Sequence, residues 1–131
     1  MGHAIFLAAA LALVNDVNLE RRSHGLTPVR VDSRLSEIAN GHALDMAARD
    51  YFSHETPTGQ TPFDRMRTAG CEYRYAGENI AMAPDVGIAD ASLLESTPHR
   101  ANTLNPTFSR VGIGVARDMH GDLLFVEDFS D

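Results

Sequence analysis

A glutamate and an asparagine interrupt a strand-like run at residues 73–81, which reads Tyr-Arg-Tyr-Ala-Gly-Glu-Asn-Ile-Ala. Glu78 stands where an ordinary buried strand would carry valine or leucine. Burying an unpaired carboxylate costs several kcal/mol, so Glu78 must either reach solvent in a cleft or meet a group that shares its charge or proton. We expect that partner to be a histidine.

His54 is expected at the entrance of a loop that follows the second predicted helix. Asp32 or Ser33 can cap that helix. Pro57 and Gly59 mark the loop as ordered. Taken alone, His54 could equally serve to cap this loop.

The second predicted helix has a buried side, formed at helical spacing by Leu35, Ile38, His42 and Met46. Among these, His42 is predicted to be a hydrogen-bonded packing residue.

His99 is expected in the first turn of a short helix near residue 100. Thr97 followed by Pro98 is typical of an N-cap before a proline at the first helical position. Another helix, introduced by Asp85, precedes it and carries Glu95 near its end. Asn102 is expected to bond the following loop, and Arg100 to pair with an acid such as Asp128 or Glu95.

The apolar run at residues 4–14 resembles the core of a signal peptide, but it lacks a basic flank and a cleavage site and is too short to span a bilayer. We therefore predict a first amphipathic helix with Leu7, Leu11 and Val14 on its apolar face. Gly25 is a good C-cap for this helix.

Alternating apolar residues at 110–116 and 123–129, separated by a turn near Gly121, predict two paired strands. Helices precede and flank three or four mostly antiparallel strands. The predicted fold is therefore α+β, a three-layer α/β/α sandwich with a small, mostly antiparallel sheet. The length of 131 residues suits one domain, which we place at residues 4–131.

Composition narrows the classes of partner. Acidic residues outnumber basic ones 18 to 11, and the net charge of −7 repels phosphate backbones, so nucleic acid is not expected. Cys71 is the one cysteine, which excludes an internal disulfide, and a buried structural thiol is its expected role. We expect a monomer without a transmembrane segment.

Five ordered motifs resemble the bacterial branch of the CAP superfamily, which comprises the cysteine-rich secretory, antigen 5 and pathogenesis-related proteins and whose shared unit is also called the SCP domain. The resemblance runs from about Val14 to Phe129. The motifs are Gly25-Leu26 with Pro28, His42-Ala43 with Asp45-Met46-Ala47, Tyr51-Phe52-Ser53-His54, Gly77-Glu78-Asn79-Ile80-Ala81, and His99-Arg100 with Asn102 and Leu104.

This resemblance implies an open cleft lined by two histidines and one or two glutamates. His54 matches the first cleft histidine, Glu78 the glutamate of the Gly-Glu-Asn motif, and His99 the second histidine. A second glutamate normally lies on the helix before His99. Glu95 is about one position out of register there, which turns a helical side chain by about 100 degrees, and Leu93 replaces a usual tryptophan.

Members of the family can hold a divalent metal, often zinc, on the two histidines. Two neutral imidazoles with a carboxylate suit zinc, copper or nickel, and two nitrogen ligands make a weak, exchangeable site. The predicted metal ligands are His54 and His99. The predicted ligand-binding set is His54, Glu78, Glu95 and His99.

The first functional hypothesis is an exported bacterial domain, extracellular or in the cell envelope, whose cleft binds a small-molecule, lipid or cell-envelope ligand without established catalysis. The alternative is a metal-dependent hydrolase of peptide, ester or cell-wall bonds with Glu78 as general base. Thr58 occupies the position of the second histidine of a zincin motif, and no Gly-x-Ser-x-Gly elbow occurs. A lipid carrier is a third possibility, although no long apolar groove is evident in the sequence.

Overall fold

A computed structural model describes the backbone from residue 2 to residue 131 and the side chains from residue 6 onward. Its helices are α1 (Gly2–Ser23), α2 (Ser33–Arg49), α3 (Pro62–Thr68), α4 (Val86–Glu95) and α5 (Thr97–Thr103). Its strands are β1 (Arg30–Val31), β2 (Ala76–Ala83), β3 (Arg110–Arg117) and β4 (Leu123–Ser130). They form one sheet in the order β1-β3-β4-β2, in which β1 runs parallel to β3 and the other pairs are antiparallel.

Helices cover both faces of this sheet. One face packs against α1 and α4, with a core that includes Leu13, Leu93, Val111, Phe125 and Phe129. The opposite face packs against α2, with a core of Ala39, Ala43, Met46, Ile80, Ala116, Leu124 and Val126. The predicted α/β/α sandwich with a mostly antiparallel sheet is therefore confirmed.

Two glycines of β3 let α2 lie directly on the sheet. A Cβ atom at Gly112 would lie 2.1 Å from the backbone carbonyl carbon of Leu35, and one at Gly114 would lie 2.3 Å from that of Ala39. Any side chain there would push α2 off the strand. The alternation of glycine with valine and isoleucine in β3 thus gives one apolar face and one flat face that receives a helix.

Local capping signals set the ends of three helices, and those at Gly25 and Asp32 were predicted. Gly25 adopts φ +71° beyond the end of α1, where its N–H and that of Leu26 satisfy the last carbonyls. Asp32 caps α2 by accepting a hydrogen bond from the N–H of Leu35 at 2.9 Å. Thr61 and Asp64 form a reciprocal capping box that starts α3.

The predicted apolar face of α1 was wrong for two of its three residues. Leu7 and Leu11 are 59% and 51% exposed, whereas Val14 packs against the core beside the buried Leu13 and Val17. The first half of α1 is apolar around nearly its whole circumference, so helical periodicity alone does not select the stripe that meets the sheet. Among the helices that the structure describes, none has both the length and the apolar character needed to cross a membrane.

The predicted cap of α5 was displaced by one residue. Ser96 is the N-cap, with φ −78° and ψ 122°, and it makes no side-chain capping bond, while Thr97 is the first helical residue. Ser96 is also the C-cap of α4, because one residue separates the two helices. The sharp connection brings α5 back against the edge strand β2.

Consecutive residues of β2 point to opposite faces of the sheet. Glu78 lies on the α2 face with Ile80, and Asn79 lies on the α1 face with Ala81. Their cross-strand partners on β4 are Asp128 and Glu127 respectively. The edge strand therefore carries one polar pair towards each helical layer.

Candidate ligand-binding cleft

Glu78 lies buried at the edge of the sheet with a complete set of partners. Its side chain is 1% exposed. Oε1 accepts a hydrogen bond from Nδ1 of His54 at 2.9 Å, and Oε1 and Oε2 accept from Nη2 of Arg65 at 3.2 and 2.9 Å. Burial alone would raise the pKa of Glu78, but the bond from His54, contact with Asp128 and the charge of Arg65 hold that pKa below its usual value. Glu78 is therefore ionised, and the expected histidine partner is His54.

Arg65 supplies the cation that the buried carboxylate needs. It lies on the buried side of α3, and its Nη1 donates to the carbonyl oxygens of His54 at 3.0 Å and Gln60 at 3.4 Å. Arg65 therefore ties the loop at residues 53–60 to strand β2. The sequence analysis missed Arg65, because its position beside Met66 on a short helix is only a weak signal of burial.

His54 is fixed in one orientation by its contact with Glu78. Because a carboxylate can only accept, Nδ1 carries a hydrogen, and the neutral imidazole keeps its lone pair on Nε2. The side chain is 48% exposed. Nε2 makes no hydrogen bond to any part of the chain that the structure describes. It is thus free to bind a ligand atom.

His99 reaches the same edge of the sheet from α5. Its carbonyl oxygen accepts from Nδ2 of Asn79 at 3.0 Å, and Asn102 in turn donates to Oδ1 of Asn79 at 2.8 Å. Burial and then the charge of His54 lower the pKa of His99. Its Nδ1 is buried without a partner within the described residues.

On the opposite face of the sheet, Glu127 lies against a group of acids. It is 2% exposed and accepts one hydrogen bond from Nδ2 of Asn79 at 3.1 Å. Burial raises the pKa of Glu127 to about 7, and the charges of Asp90 and Asp16 act in the same direction. Burial and the nearby Asp16 also raise the pKa of Asp90, to about 6.

Asp128 lies beside Glu78, a contact that was not predicted from the sequence. It is 0% exposed, and neither carboxyl oxygen has a donor partner among the described residues. Burial and then the charge of Glu78 raise its pKa well above the usual value. The signal was available, because Glu127 and Asp128 break an apolar strand in the same way as Glu78.

Arg100 pairs with an acid, as predicted, and that acid is Glu20 at 3.1 Å. The partner is not Asp128, since α5 lies on the α1 side of the sheet while Asp128 points towards α2. The predicted pairing of Asn102 was wrong. Asn102 bonds the edge strand instead of the following loop. The predicted loop contacts are made by Asn105.

Three further residues complete the comparison with the sequence. His42 donates through Nε2 to the carbonyl oxygen of Ser53 at 2.8 Å, as predicted for a packing residue. Cys71 is half-buried, and burial raises the pKa of its thiol, so it is not an activated nucleophile. Glu95 is exposed and makes no side-chain hydrogen bond or ion pair in the described chain, so its place in the cleft stays a prediction.

A groove of about 560 Å³ lies beside the cleft, between α2 and the segment at residues 56–69. Its walls include His42, Asp45, Arg49 and Arg65 but none of the four residues predicted to bind the ligand. Arg65 separates the groove from Glu78. Across the described part of the chain, no three histidine, cysteine or acidic side chains are grouped to hold a metal ion.

A family model described as the cysteine-rich secretory protein family, CAP, matches residues 14–129. The protein YkwD of Bacillus subtilis strain 168 is 39% identical over 105 residues, which covers 78% of this chain and 40% of that protein. The membrane protein YlbC of the same organism is 36% identical over 101 residues, covering 76% of this chain and 29% of that protein. The chain therefore spans less than half the length of both relatives.

Solved structures give the same result. An extracellular protein containing a SCP domain from Bacillus anthracis Ames has a TM-score of 0.86 and 32% identity, covering 96% of this chain and 41% of that one. An outer surface protein from Borrelia burgdorferi has a TM-score of 0.88 at 18% identity, covering 95% and 92% of the two chains. The second likeness shows the fold alone.

Proposed function

The chain belongs to the cysteine-rich secretory protein (CAP) family, and from that premise we propose that its cleft of His54, Glu78 and His99 is the ligand-binding site of an exported bacterial domain. The domain corresponds to the predicted residues 4–131. We place it outside the cell or in the cell envelope, in keeping with the extracellular protein from Bacillus anthracis that it resembles. Its ligand would be a small molecule, a lipid or a cell-envelope component.

The observation that carries this proposal is the hydrogen bond from Nδ1 of His54 to Glu78 at 2.9 Å. A buried carboxylate that holds one nitrogen of an imidazole sets the tautomer and aims the other nitrogen, which is how proteins orient histidine ligands. Here the oriented histidine is half-exposed, whereas the carboxylate is not. Glu78 thus serves as support, and Nε2 of His54 as the contact atom.

The donor set fits a weak, exchangeable divalent metal. His54 and His99 would supply two neutral imidazoles, and zinc is one of the metals that such ligands suit. A bound zinc ion would supply positive charge that attracts an anionic or carbonyl group of the ligand. Because both oxygens of Glu78 are already engaged, Glu78 is not counted among the metal ligands.

The hydrolase alternative requires Glu78 to act as a general base. A general base must reach a water molecule and must have a pKa near the working pH. Glu78 has a 1% exposed side chain and a lowered pKa, so both conditions count against it. The geometry therefore supports binding better than turnover.

Thermal unfolding with and without zinc tests the metal site. Zinc should raise Tm of the wild-type chain, and the shift should vanish in H54A and H99A. His120 is exposed and pairs with Asp50, so H120A is the matched control and should keep the shift. E78Q should bind zinc about 10- to 100-fold more weakly. A wild-type chain without any shift would overturn the metal part of the proposal.

Turnover separates the two functional classes. A panel of peptide, ester and cell-wall substrates should show no zinc-dependent hydrolysis above that of H54A. Hydrolysis by the wild type that is lost in E78Q would contradict the binding role and establish the hydrolase alternative.

A further inference from the structure

Two carboxyl groups lie side by side beneath the cleft. Glu78 and Asp128 are directly opposed residues of β2 and β4, and they share the face that α2 covers. Directly opposed side chains start from Cβ atoms about 4.5–5.5 Å apart, so their carboxyl groups meet. Asp128 is 0% exposed, deeper than any other acid of this face.

Asp128 accepts no hydrogen bond from any residue that the structure describes. The Nη groups of Arg65 are committed to Glu78, His54 and Gln60, and its Nε is buried without making a hydrogen bond. The charged or titratable groups that face Asp128 are Glu78 from β2, Arg65 from α3 and Cys71 after α3, and His42 of α2 and His54 face the partner Glu78. The thiol of Cys71 carries no positive charge, and Arg65 already balances one carboxylate. An ionised Asp128 would thus be a second buried negative charge without a hydrogen bond.

A proton on Asp128 removes both difficulties. Neither ionised carboxylate can donate to the other, which is why no hydrogen bond joins the pair as two anions. A protonated Asp128 becomes an O–H donor, and the nearest available acceptor is the ionised Glu78. Short hydrogen bonds of this kind between an acid and a carboxylate are among the stronger ones in proteins.

We propose that Asp128 is a neutral carboxylic acid that donates a hydrogen bond to the Glu78 carboxylate and holds it where it accepts from His54 and Arg65. Asp128 is then a positioning residue, which acts on the cleft through Glu78. Glu78 receives donors from three elements: Asp128 of β4, Arg65 of α3 and His54 of the loop after α2. The arrangement does not depend on any metal or ligand in the cleft.

Carboxyl ¹³C NMR of the metal-free wild-type protein tests the location of the proton without a variant. At pH 7 the Cγ shift of Asp128 should be that of a protonated acid, while the Cδ shift of Glu78 should be that of a carboxylate. Asp64, an exposed residue with a lowered pKa, is the ionised reference. An ionised Asp128, or a proton on Glu78 with Asp128 ionised, would overturn the proposal.

Two variants test the positioning role through a signal that general stability does not move. D128N keeps a neutral donor and should preserve the Nδ1–H resonance of His54, whereas D128A removes the donor and should weaken or abolish that resonance. A folded D128A with an unchanged His54 signal would contradict the role. If D128A does not fold, D128N decides: loss of the His54 signal there contradicts the role, because the donor is retained. Zinc is absent from all these samples, so their outcome is separate from that of the proposed metal site.

Discussion

Each face of the sheet carries one buried glutamate, and the pKa values of these two glutamates are shifted in opposite directions. On the α2 face, Glu78 is buried beside Arg65 and His54, which hold it ionised. On the α1 face, Glu127 is equally buried but has an amide partner, Asn79, and acidic neighbours. Both are glutamates of neighbouring strands in the same small sheet.

The difference shows that burial alone does not set the charge of an acid in this domain. Burial raises the pKa of both glutamates, and at Glu78 the hydrogen bond from His54, the contact with Asp128 and the charge of Arg65 together outweigh it. Where Arg65 is present, the carboxylate can support a histidine at the cleft. Where no such cation bonds the acid in the described structure, burial raises the pKa of the carboxyl to about 7.

Removing the cation should produce the largest effect. R65M leaves Glu78 buried beside Asp128 without its salt bridge, and breaking a buried pair in this way costs about 3–5 kcal/mol. Because the folded-state pKa of Glu78 is lowered, the stability from this pair is present above the ordinary carboxyl pKa and lost as pH falls through the folded value. Urea unfolding should therefore show a larger loss at pH 7 than at pH 4.

Arg67 provides the matched control for this experiment. It lies two residues further along the same helix, and its ion pair with Asp64 is exposed. R67M should leave the free energy of unfolding unchanged. An R65M variant as stable as R67M at pH 7 would contradict the stabilisation of Glu78 by Arg65, on which the difference between the two faces depends.

Neutralising Glu127, the acid of the α1 face, should raise the free energy of unfolding instead of lowering it. The folded-state pKa of Glu127 is raised to about 7, so wild-type stability falls as pH rises from the ordinary carboxyl range through 7. E127Q keeps the acceptor for Asn79 and carries no charge. It should be more stable than the wild type at pH 8 by roughly 1–3 kcal/mol, with little difference at pH 5.

Free energies of unfolding for both proteins at several pH values between 5 and 8 measure this effect. Equal slopes for E127Q and the wild type would mean that Glu127 is ionised in the folded protein. The two faces would then not differ in charge.

Asp90 should give the smallest of the three effects. Its pKa is raised to about 6 by burial and by Asp16, but the side chain is partly accessible to solvent, which screens the interaction. D90N should reduce the change in the free energy of unfolding with pH below pH 6 by about 0.5 kcal/mol. The same unfolding series measures this effect. A steeper pH dependence of stability in D90N than in the wild type would contradict the interaction of Asp90 with Asp16.

Much of the fold follows from the sequence because local signals specify it. The caps at Gly25, Asp32 and Thr61 and the alternation in β3 and β4 act within a few residues. The face of α1 could not be predicted, since the choice between Leu7 and Leu13 depends on where the sheet lies. Periodicity carries no information when several stripes of a helix are apolar.

The site was predictable only in part. A glutamate in an apolar strand indicates that its charge has a partner, and the family resemblance predicted His54 and His99 as residues of the same site. The same signal marks Asp128 as an acid in an apolar strand, but its pairing with Glu78 depends on the register of β4 against β2. The contact of Arg65 with Glu78 spans 13 residues of chain and depends on how α3 packs. The packing of α3 against β2 and the register of β4 bring them together.

The central claim is that an ionised, buried Glu78 orients His54 towards the cleft. Imidazole ¹⁵N NMR of the metal-free wild-type protein at pH 8 tests it most directly. The account predicts that Nδ1 of His54 carries the hydrogen and that Nε2 has the shift of a bare nitrogen. A hydrogen on Nε2, with Nδ1 bare, would contradict it.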